Sequence, residues 1–169
     1  YVRDDVSSVT RPLLELKGIS SESQAGTRVT AAFTHLAPVV SELSFVTQAE
    51  LAAQIGGPKV ALFCAAPHVV SAGVVATLLK AASAAGSRAV VVDVSSDFRF
   101  RNAVDFEAVY KQPHGAPELL PDFVCAMPEH VTGVPALHVG HPGCFATAML
   151  AGLVPLVKLG LNDGPVYAA

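Results

Sequence analysis

Residues 59–94 read KVALFCAAPHVVSAGVVATLLKAASAAGSRAVVVDV, and this stretch decides the fold. It begins and ends with near-continuous apolar runs, Lys59–Ala65 and Ala89–Val94, which are typical of parallel strands buried on both faces. Between them the sequence predicts a helix from Val69 to Ala85 that is apolar on nearly all sides and is closed by Gly86. A strand, a helix and a second strand form a right-handed βαβ unit. We therefore expect the α/β class with a parallel sheet.

Further elements are predicted on both sides of this unit. Short strands are expected at Leu13–Ile19, Phe45–Val46, Phe123–Met127 and Ala136–Gly140, and a small helix at about Glu50–Ile55. Residues 101–122 are predicted to be a long connection, and loops of this length are often functional lids. Cys64 and Cys125 lie within apolar strands and are expected in the core. The predicted architecture is a Rossmann-like, mostly parallel sheet with flanking helices.

The composition excludes several classes of protein. The chain has 169 residues, of which 51% are hydrophobic and 15% charged, so a sizeable core is expected. A net charge of −3 without a basic run argues against nucleic acid as a partner. No apolar segment is long and uninterrupted enough to predict a membrane span. The three cysteines form no CxxC pair or His/Cys cluster, so we expect no disulfide framework and no metal site, as in a reducing, cytoplasmic setting.

A single cysteine follows a Pro-Gly turn in residues 139–148, VGHPGCFATA. The turn leads into an apolar helix, predicted from about Phe145 to Leu159 and ended by Gly160, so Cys144 lies at its N-terminus. Unpaired N–H groups and the helix dipole favour the thiolate there, and the same groups could hold an oxyanion. The pattern thus predicts covalent catalysis on an acyl group. A buried structural cysteine is the alternative, and the residues alone leave both open.

Polar residues follow two of the predicted strands, where ligands bind in doubly wound sheets. Ser20, Ser21 and Ser23 follow the first strand, and they either contact an adenosine ribose or phosphate or form an ordinary polar loop. Arg99 follows Ala89–Val94, and it either binds a carboxylate or phosphate or is structural, paired with an acid such as Asp97 or solvated. No glycine-rich GxGxxG turn is present, so the first strand behaves like the second strand of a Rossmann domain.

Five segments carry a resemblance to a known family. The segment VGHPGCFATAMLAGLVP (139–155) is similar throughout to the active-site signature of the N-acetyl-γ-glutamyl-phosphate reductases, NADP-dependent acyl-phosphate reductases of arginine biosynthesis. The other four segments also resemble blocks of this family: ISSESQAGTRV (19–29), AAPHVVS (65–71), VVDVSSDFRF (91–100) and GAPELLPDFVCAMPEH (115–130). The resemblance covers most of residues 11–164, whereas residues 1–10 match poorly.

The resemblance implies a domain organisation. Residues 1–140 correspond to a partial NADP-binding, Rossmann-like domain, and residues 141–169 to the start of an α+β catalytic domain. The family's glycine-rich dinucleotide loop has no counterpart here, and none of the six histidines matches its catalytic histidine. The sequence is therefore expected to be a truncated form of the enzyme.

The resemblance also implies a reaction and its residues. Cys144 corresponds to the nucleophile that forms a thioester with the acyl phosphate, which is then reduced to the semialdehyde with NADPH. Arg99 corresponds to an arginine near the substrate. The implied cofactor-binding residues run from the adenosine ribose and its 2′-phosphate to the nicotinamide: Ser21, Ser23, Pro67, His68, Ser95 and Gly143.

Alternatives to this activity remain open. The substrate could be aspartyl phosphate, as in aspartate-semialdehyde dehydrogenase, or a carrier-bound aminoadipyl or glutamyl phosphate. A different class is a non-catalytic chain that keeps the fold but does not turn over. The expected partner is a small-molecule acyl phosphate, with no nucleic acid and no membrane, and the full protein is expected to be a homo-oligomer in the cytoplasm.

Overall fold

The computed structural model describes residues 15–130, 133 and 137–167. By its internal contacts the chain divides into two compact units, one ending at Gln54 and the other beginning at Ile55. Each unit is described by itself below. Leu13 and Leu14, the start of the first predicted strand, lie outside the described residues.

The first unit contains a two-stranded parallel sheet, in which β1 (Ile19–Ser20) pairs with β2 (Phe45–Val46). The connection holds α1 (Val29–Ala32), a 3₁₀ turn and α2 (Ala37–Val40), and α3 (Gln48–Gln54) follows β2. Residues 15–18, predicted as strand, are not in the sheet, because β2 offers only two residues for pairing. A capping box begins α3: Thr47 Oγ1 accepts the Glu50 N–H at 3.1 Å, and a Glu50 carboxylate oxygen accepts the Thr47 N–H at 2.7 Å.

The second unit confirms the parallel α/β prediction. Its four strands are β3 (Lys59–Cys64), β4 (Arg88–Asp93), β5 (Phe123–Cys125) and β6 (His138–Gly140), and all pair in parallel in the order β3-β4-β6-β5. The helix α4 (Ser71–Ala84) connects β3 with β4, as the sequence predicts, and α6 (Cys144–Lys158) follows β6.

The core of this unit lies between α4 and the sheet. Val75 of α4, Val91 of β4 and Phe98 are at most 1% exposed, and they belong to one cluster with Cys64. Cys64 is therefore in the core, as predicted. The two apolar runs supply this cluster, since burial of apolar area is the main driving force of folding.

The expectation that both faces of these strands are buried was wrong, because Phe63 of β3 is 70% exposed and Val90 of β4 is 43% exposed.

The prediction of a long connection over residues 101–122 was wrong. This segment contains the helix α5 (Ala103–Tyr110) and a 3₁₀ helix from Pro117 to Asp122. Asn102 caps α5 by accepting the Asp105 N–H at 2.9 Å, and Phe106 anchors the helix with a fully buried ring. The segment is thus packed structure, because one aromatic anchor and one cap suffice for a helix with little apolar periodicity.

The prediction that Cys125 is buried was also wrong. Cys125 is an exposed free thiol, because β5 is an edge strand and ends at this residue, two residues before the predicted end.

Candidate active site

The second unit brings most of the predicted site residues to one edge of its sheet. Parallel strands share the direction of their carboxyl ends, and three of the four strands are followed there by a loop that carries candidate residues. Pro67 and His68 follow β3, Ser95 and Arg99 follow β4, and Gly143 and Cys144 follow β6. Hydrogen bonds between these loops, described below, hold them together.

The cysteine turn, residues 141–144, presents an exposed thiol. Cys144 is the first residue of α6, and Gly143 precedes it with φ +98° and ψ 161°, a backbone conformation that is essentially restricted to glycine. The first helical hydrogen bond runs from the Thr147 N–H to the Gly143 carbonyl at 2.9 Å. The N–H groups of Cys144, Phe145 and Ala146 precede this bond and have no partner within the helix. The sulfur therefore lies at a helix N-terminus, as predicted.

A second glycine fixes the approach to this turn. At Gly140, the last residue of β6, an added Cβ would lie 2.8 Å from the Phe98 carbonyl carbon. The 3₁₀ turn Asp97–Arg99 therefore packs directly on the β6 backbone, and no side chain fits between them. This contact brings the loop after β4 against the cysteine turn.

Arg99 contacts the cysteine turn directly. Its Nε donates to the His141 carbonyl at 2.9 Å, and one terminal nitrogen donates to the Val94 carbonyl at 3.3 Å. The guanidinium lies 3.0 Å from the position that a Cβ of Gly143 would occupy. Among the described residues no carboxylate forms an ion pair with Arg99, and Asp97 instead accepts the N–H groups of Val69 and Ala72. The Arg99–Asp97 pair, one form of the structural alternative, is therefore not formed.

His141 is a site residue that the sequence reasoning missed. Its Nδ1 accepts the Gly143 N–H at 3.1 Å, and its Nε2 lies 3.3 Å from Thr147 Oγ1. Its main-chain N–H donates to the Asp93 carbonyl at 2.7 Å. The signal that could have found it is a side-chain acceptor two residues before the turn glycine, an arrangement typical of Asx-type turns.

The Ser95 side chain points into the protein. Ser95 is 2% exposed, and its hydroxyl donates to Asp93 Oδ2 at 2.7 Å and accepts the Asp97 N–H at 3.1 Å. Ser71 donates to the other oxygen of the fully buried Asp93 carboxylate. The hydroxyl of Ser95 is thus occupied by this network, and the residue as a whole is buried.

Pro67 and His68 are exposed at the same edge. The Ser96 N–H donates to His68 Nδ1 at 3.1 Å, which connects the loop after β3 with the loop after β4. The next residue, Val69, has φ +71°, an unusual value for a β-branched side chain, and its N–H donates to Asp97 Oδ1 at 2.8 Å. Asp97 thus holds this loop in a conformation that valine disfavours.

Ser21 and Ser23 lie in the first unit, at the carboxyl end of β1. Their hydroxyl oxygens are 3.4 Å apart, and the Ser23 side chain is exposed. The Ser21 N–H donates to the Val46 carbonyl at 3.0 Å and so extends the pairing with β2. The two hydroxyls are available together at the end of a parallel pair of strands.

A mostly apolar groove of about 400 Å³ adjoins the cysteine turn. Pro142 of the turn and Cys125 of β5 border it, with Leu150, Val154 and Lys158 of α6. Partial burial raises the pKa of the Cys125 thiol, and the positive charge of Arg99 opposes this shift. The ordinary form of Cys125 is therefore the neutral thiol.

Two features are absent from residues 15–130, 133 and 137–167. Within them no three His, Cys, Asp or Glu side chains are grouped as a metal site would require. No helix in this part of the chain has both the length and the apolar character needed to cross a membrane.

Comparison with known proteins gives the family. The model of the family described as "Semialdehyde dehydrogenase, NAD binding domain" matches residues 8–138. Proteins named N-acetyl-gamma-glutamyl-phosphate reductase are similar over most of the chain. The relative from Ectopseudomonas mendocina is 39% identical over 154 residues, and the one from Azotobacter vinelandii is 37% identical over 156. The relative from Magnetococcus marinus is 36% identical over 162 residues.

The extent of these matches differs between the chain and its relatives. The Ectopseudomonas match covers 90% of this chain but 42% of the relative, and the Magnetococcus match covers 94% and 43%. The chain thus spans about two fifths of the length of these relatives. The resemblance to the N-acetyl-γ-glutamyl-phosphate reductases that the sequence predicts is confirmed. The chain belongs to the semialdehyde dehydrogenase family, as a member of its nicotinamide-dinucleotide-binding domain.

Proposed function

We propose that the whole protein reduces N-acetyl-γ-glutamyl phosphate to N-acetylglutamate 5-semialdehyde with NADPH and releases phosphate, a step of arginine biosynthesis. The observation that carries the proposal is Cys144, an exposed thiol at the first residue of α6 with the Arg99 guanidinium against the same turn. Similarity to proteins named N-acetyl-gamma-glutamyl-phosphate reductase supports the choice of substrate.

Cys144 is the proposed nucleophile. Its thiolate attacks the carbonyl carbon of the acyl phosphate, the carbon–oxygen bond to phosphate breaks, and phosphate departs with the electron pair. The product is a thioester on Cys144. The N–H groups of Cys144 and Phe145 donate to the oxyanion that forms on the carbonyl oxygen, and they need no reorganisation because the helix fixes them.

NADPH, once held by the cofactor-binding residues proposed below, would supply the hydride that reduces the thioester on Cys144 to a thiohemiacetal. The carbon–sulfur bond of this thiohemiacetal then breaks, which releases the aldehyde and regenerates the Cys144 thiolate. The same N–H groups stabilise the oxygen charge in this second step. Reduction of a thioester is easier than reduction of a carboxylate, and the covalent route therefore divides one difficult reaction into two easier ones.

Arg99 is the proposed anion-binding residue for the substrate. Two main-chain carbonyls, of His141 and Val94, orient its guanidinium, and no carboxylate of the described residues neutralises it. An arginine held in this way keeps its positive charge and the remaining N–H donors of its terminal nitrogens for a phosphate or carboxylate.

The proposed cofactor is NADP, with residues 1–140 as the partial dinucleotide-binding domain and residues 141–169 as the start of the catalytic domain. The fit is supported by residues at the carboxyl ends of parallel strands: the exposed Pro67 and His68 with the buried Ser95 in one unit, and Ser21 and Ser23 in the other. Gly143 is assigned to the nicotinamide end of the cofactor through its main chain, since the Arg99 guanidinium already lies where a side chain would be. The 2′-phosphate is assigned to the two serine hydroxyls.

Two alternatives are separable from this proposal. A carrier-bound aminoadipyl or glutamyl phosphate, or aspartyl phosphate, would use the same cysteine chemistry, and the semialdehyde that is oxidised fastest identifies the substrate. A chain that keeps the fold without turnover would oxidise none of them. The proposal includes a homo-oligomer in the cytoplasm, where a reducing medium keeps the Cys144 thiol free.

The test is phosphate-dependent reduction of NADP by N-acetylglutamate 5-semialdehyde, measured on the protein expressed in full from its gene. We expect Cys144→Ser to abolish turnover, because a hydroxyl is a far weaker nucleophile than a thiolate, while NADPH binding measured by cofactor fluorescence is unchanged. Cys125→Ser, at the other exposed thiol, is the matched control and should retain activity. Turnover that survives in Cys144→Ser contradicts the proposal, and so does an inactive wild-type protein.

A further inference from the structure

His141 lies inside the cysteine turn, and the proposed reaction gives its side chain no role. Its Nδ1 accepts the Gly143 N–H at 3.1 Å, and its Nε2 lies 3.3 Å from Thr147 Oγ1. The ring therefore connects the residue before Cys144 with a residue one turn into α6. Both bonds are local, so they constrain the turn without help from other elements.

The hydrogen bonds define which nitrogen carries the proton. A nitrogen that accepts an N–H needs a free lone pair, so in this arrangement the ring is the neutral tautomer with its proton on Nε2. Nε2–H then donates to Thr147 Oγ1. The bond from Nδ1 to the N–H two residues on has the pattern of an Asx turn, with an imidazole in place of a carbonyl oxygen.

The main chain of His141 is also fixed on both sides. Its N–H donates to the Asp93 carbonyl at 2.7 Å, and its carbonyl accepts Arg99 Nε at 2.9 Å. Every polar group of the residue is thus engaged. The ring is therefore an anchored group, whereas Gly143 has the backbone freedom of a glycine and needs an external partner to keep one conformation.

We infer that His141 is a positioning residue, which holds Gly143 at φ +98° so that α6 begins at Cys144 and the sulfur stays beside the free N–H groups. The inference rests on the proposed role of Cys144 as the nucleophile. If the Nδ1 acceptor is lost, the Gly143 N–H has no partner and the turn can adopt other conformations. The thiolate then loses part of the stabilisation that the helix N-terminus gives.

The three cysteines allow a test on this chain without turnover. The alkylation rate of each thiol by iodoacetamide at about pH 7 is measured by peptide mass spectrometry. We expect His141→Leu to lower the Cys144 rate about two- to fivefold, the range that an interaction at a helix terminus provides. His141→Asn should retain the wild-type rate, because its Oδ1 can accept the same N–H. The exposed Cys125 is the internal reference, and the buried Cys64 reports any opening of the fold.

Each outcome decides. Equal Cys144 rates in His141→Leu and the wild type, or an equal loss in the Leu and Asn variants, overturn the inference while the proposed function stands. Reactivity of Cys64 in His141→Leu would show that this variant opens the fold, and a second pair, Thr147→Val and Thr147→Ser, then replaces it. A lower Cys144 rate in Thr147→Val than in Thr147→Ser supports the inference, and equal rates in the two overturn it. A wild-type Cys144 that reacts no faster than Cys125 overturns the proposed nucleophile, and this inference with it.

Discussion

Gly143 has a backbone conformation in which any side chain is strained. Its φ of +98° with ψ of 161° is a region used almost only by glycine, and an added Cβ would lie 3.0 Å from the Arg99 guanidinium. We expect Gly143→Ala to lower the free energy of unfolding by about 1–3 kcal/mol and to push Arg99 away from the turn. Urea denaturation followed by circular dichroism measures the change in the free energy of unfolding.

The matched control lies in the same helix. Gly152 in α6 has no atom within 4 Å of an added Cβ. We expect Gly152→Ala to raise the free energy of unfolding by about 0.5–1 kcal/mol, since alanine favours the helix. If Gly143→Ala is as stable as Gly152→Ala, the turn is not held in the conformation described.

The chemical role of a single residue was easier to predict from the sequence than the residues that it contacts. Cys144 could be placed at a helix N-terminus from Pro142, Gly143 and the apolar run that follows, because these are local signals. Local signals cannot give the partner of Arg99, since the His141 carbonyl lies 42 residues further along the chain. The inward direction of Ser95 was equally hidden, because it depends on the buried Asp93 carboxylate.

At the scale of elements, Asp97 connects the loop after β4 with the start of α4. Its carboxylate oxygens accept the N–H groups of Val69 at 2.8 Å and Ala72 at 2.9 Å. We expect Asp97→Ala to lower the free energy of unfolding by about 2 kcal/mol, since a helix cap is lost and buried N–H groups remain unpaired. Urea denaturation checks the loss. It should exceed the loss of about 1 kcal/mol expected for Asn102→Ala, the exposed cap of α5.

A smaller loss in Asp97→Ala than in Asn102→Ala would contradict the capping role of Asp97. NADPH binding adds a second measure, because Asp97 also holds the strained Val69 next to His68. We expect weaker binding in Asp97→Ala and unchanged binding in Asn102→Ala.

Element prediction succeeded where long apolar runs contribute to one core and failed where it rested on one anchor. The apolar runs of β3 and β4 and the apolar α4 between them are unambiguous, because all three are packed into one core. The helix α5 has a single fully buried residue, Phe106, and its start depends on Asn102, so its sequence resembles a loop. Strand β5 is shorter than predicted, because its pairing with β6 ends at Cys125.

At the scale of the whole molecule, His138 joins three strands of the four-stranded sheet. It lies on β6, between β4 and β5, and its Nδ1 accepts the Val91 N–H of β4 at 3.3 Å. Its ring centroid lies 4.9 Å from that of Phe123 on β5. Burial lowers the pKa of His138, against the opposing charge of Asp122. The folded sheet therefore favours the neutral imidazole, whose free lone pair the bond from Val91 needs.

Because the pKa of His138 is lowered in the folded chain, acid should reduce the free energy of unfolding. The unfolded chain binds a proton at His138 more readily than the folded chain, so the stability that the neutral ring provides is complete above the ordinary histidine pKa of about 6.5 and is lost as the pH falls through the lowered folded value. We expect the urea midpoint to fall between about pH 7 and pH 5 and to fall less steeply in His138→Gln, which cannot titrate. His35→Gln, at an exposed histidine in the 3₁₀ turn of the first unit, is the control and should keep the wild-type slope. A His138→Gln slope equal to that of the wild type would show that the sheet does not depend on the neutral form of this ring.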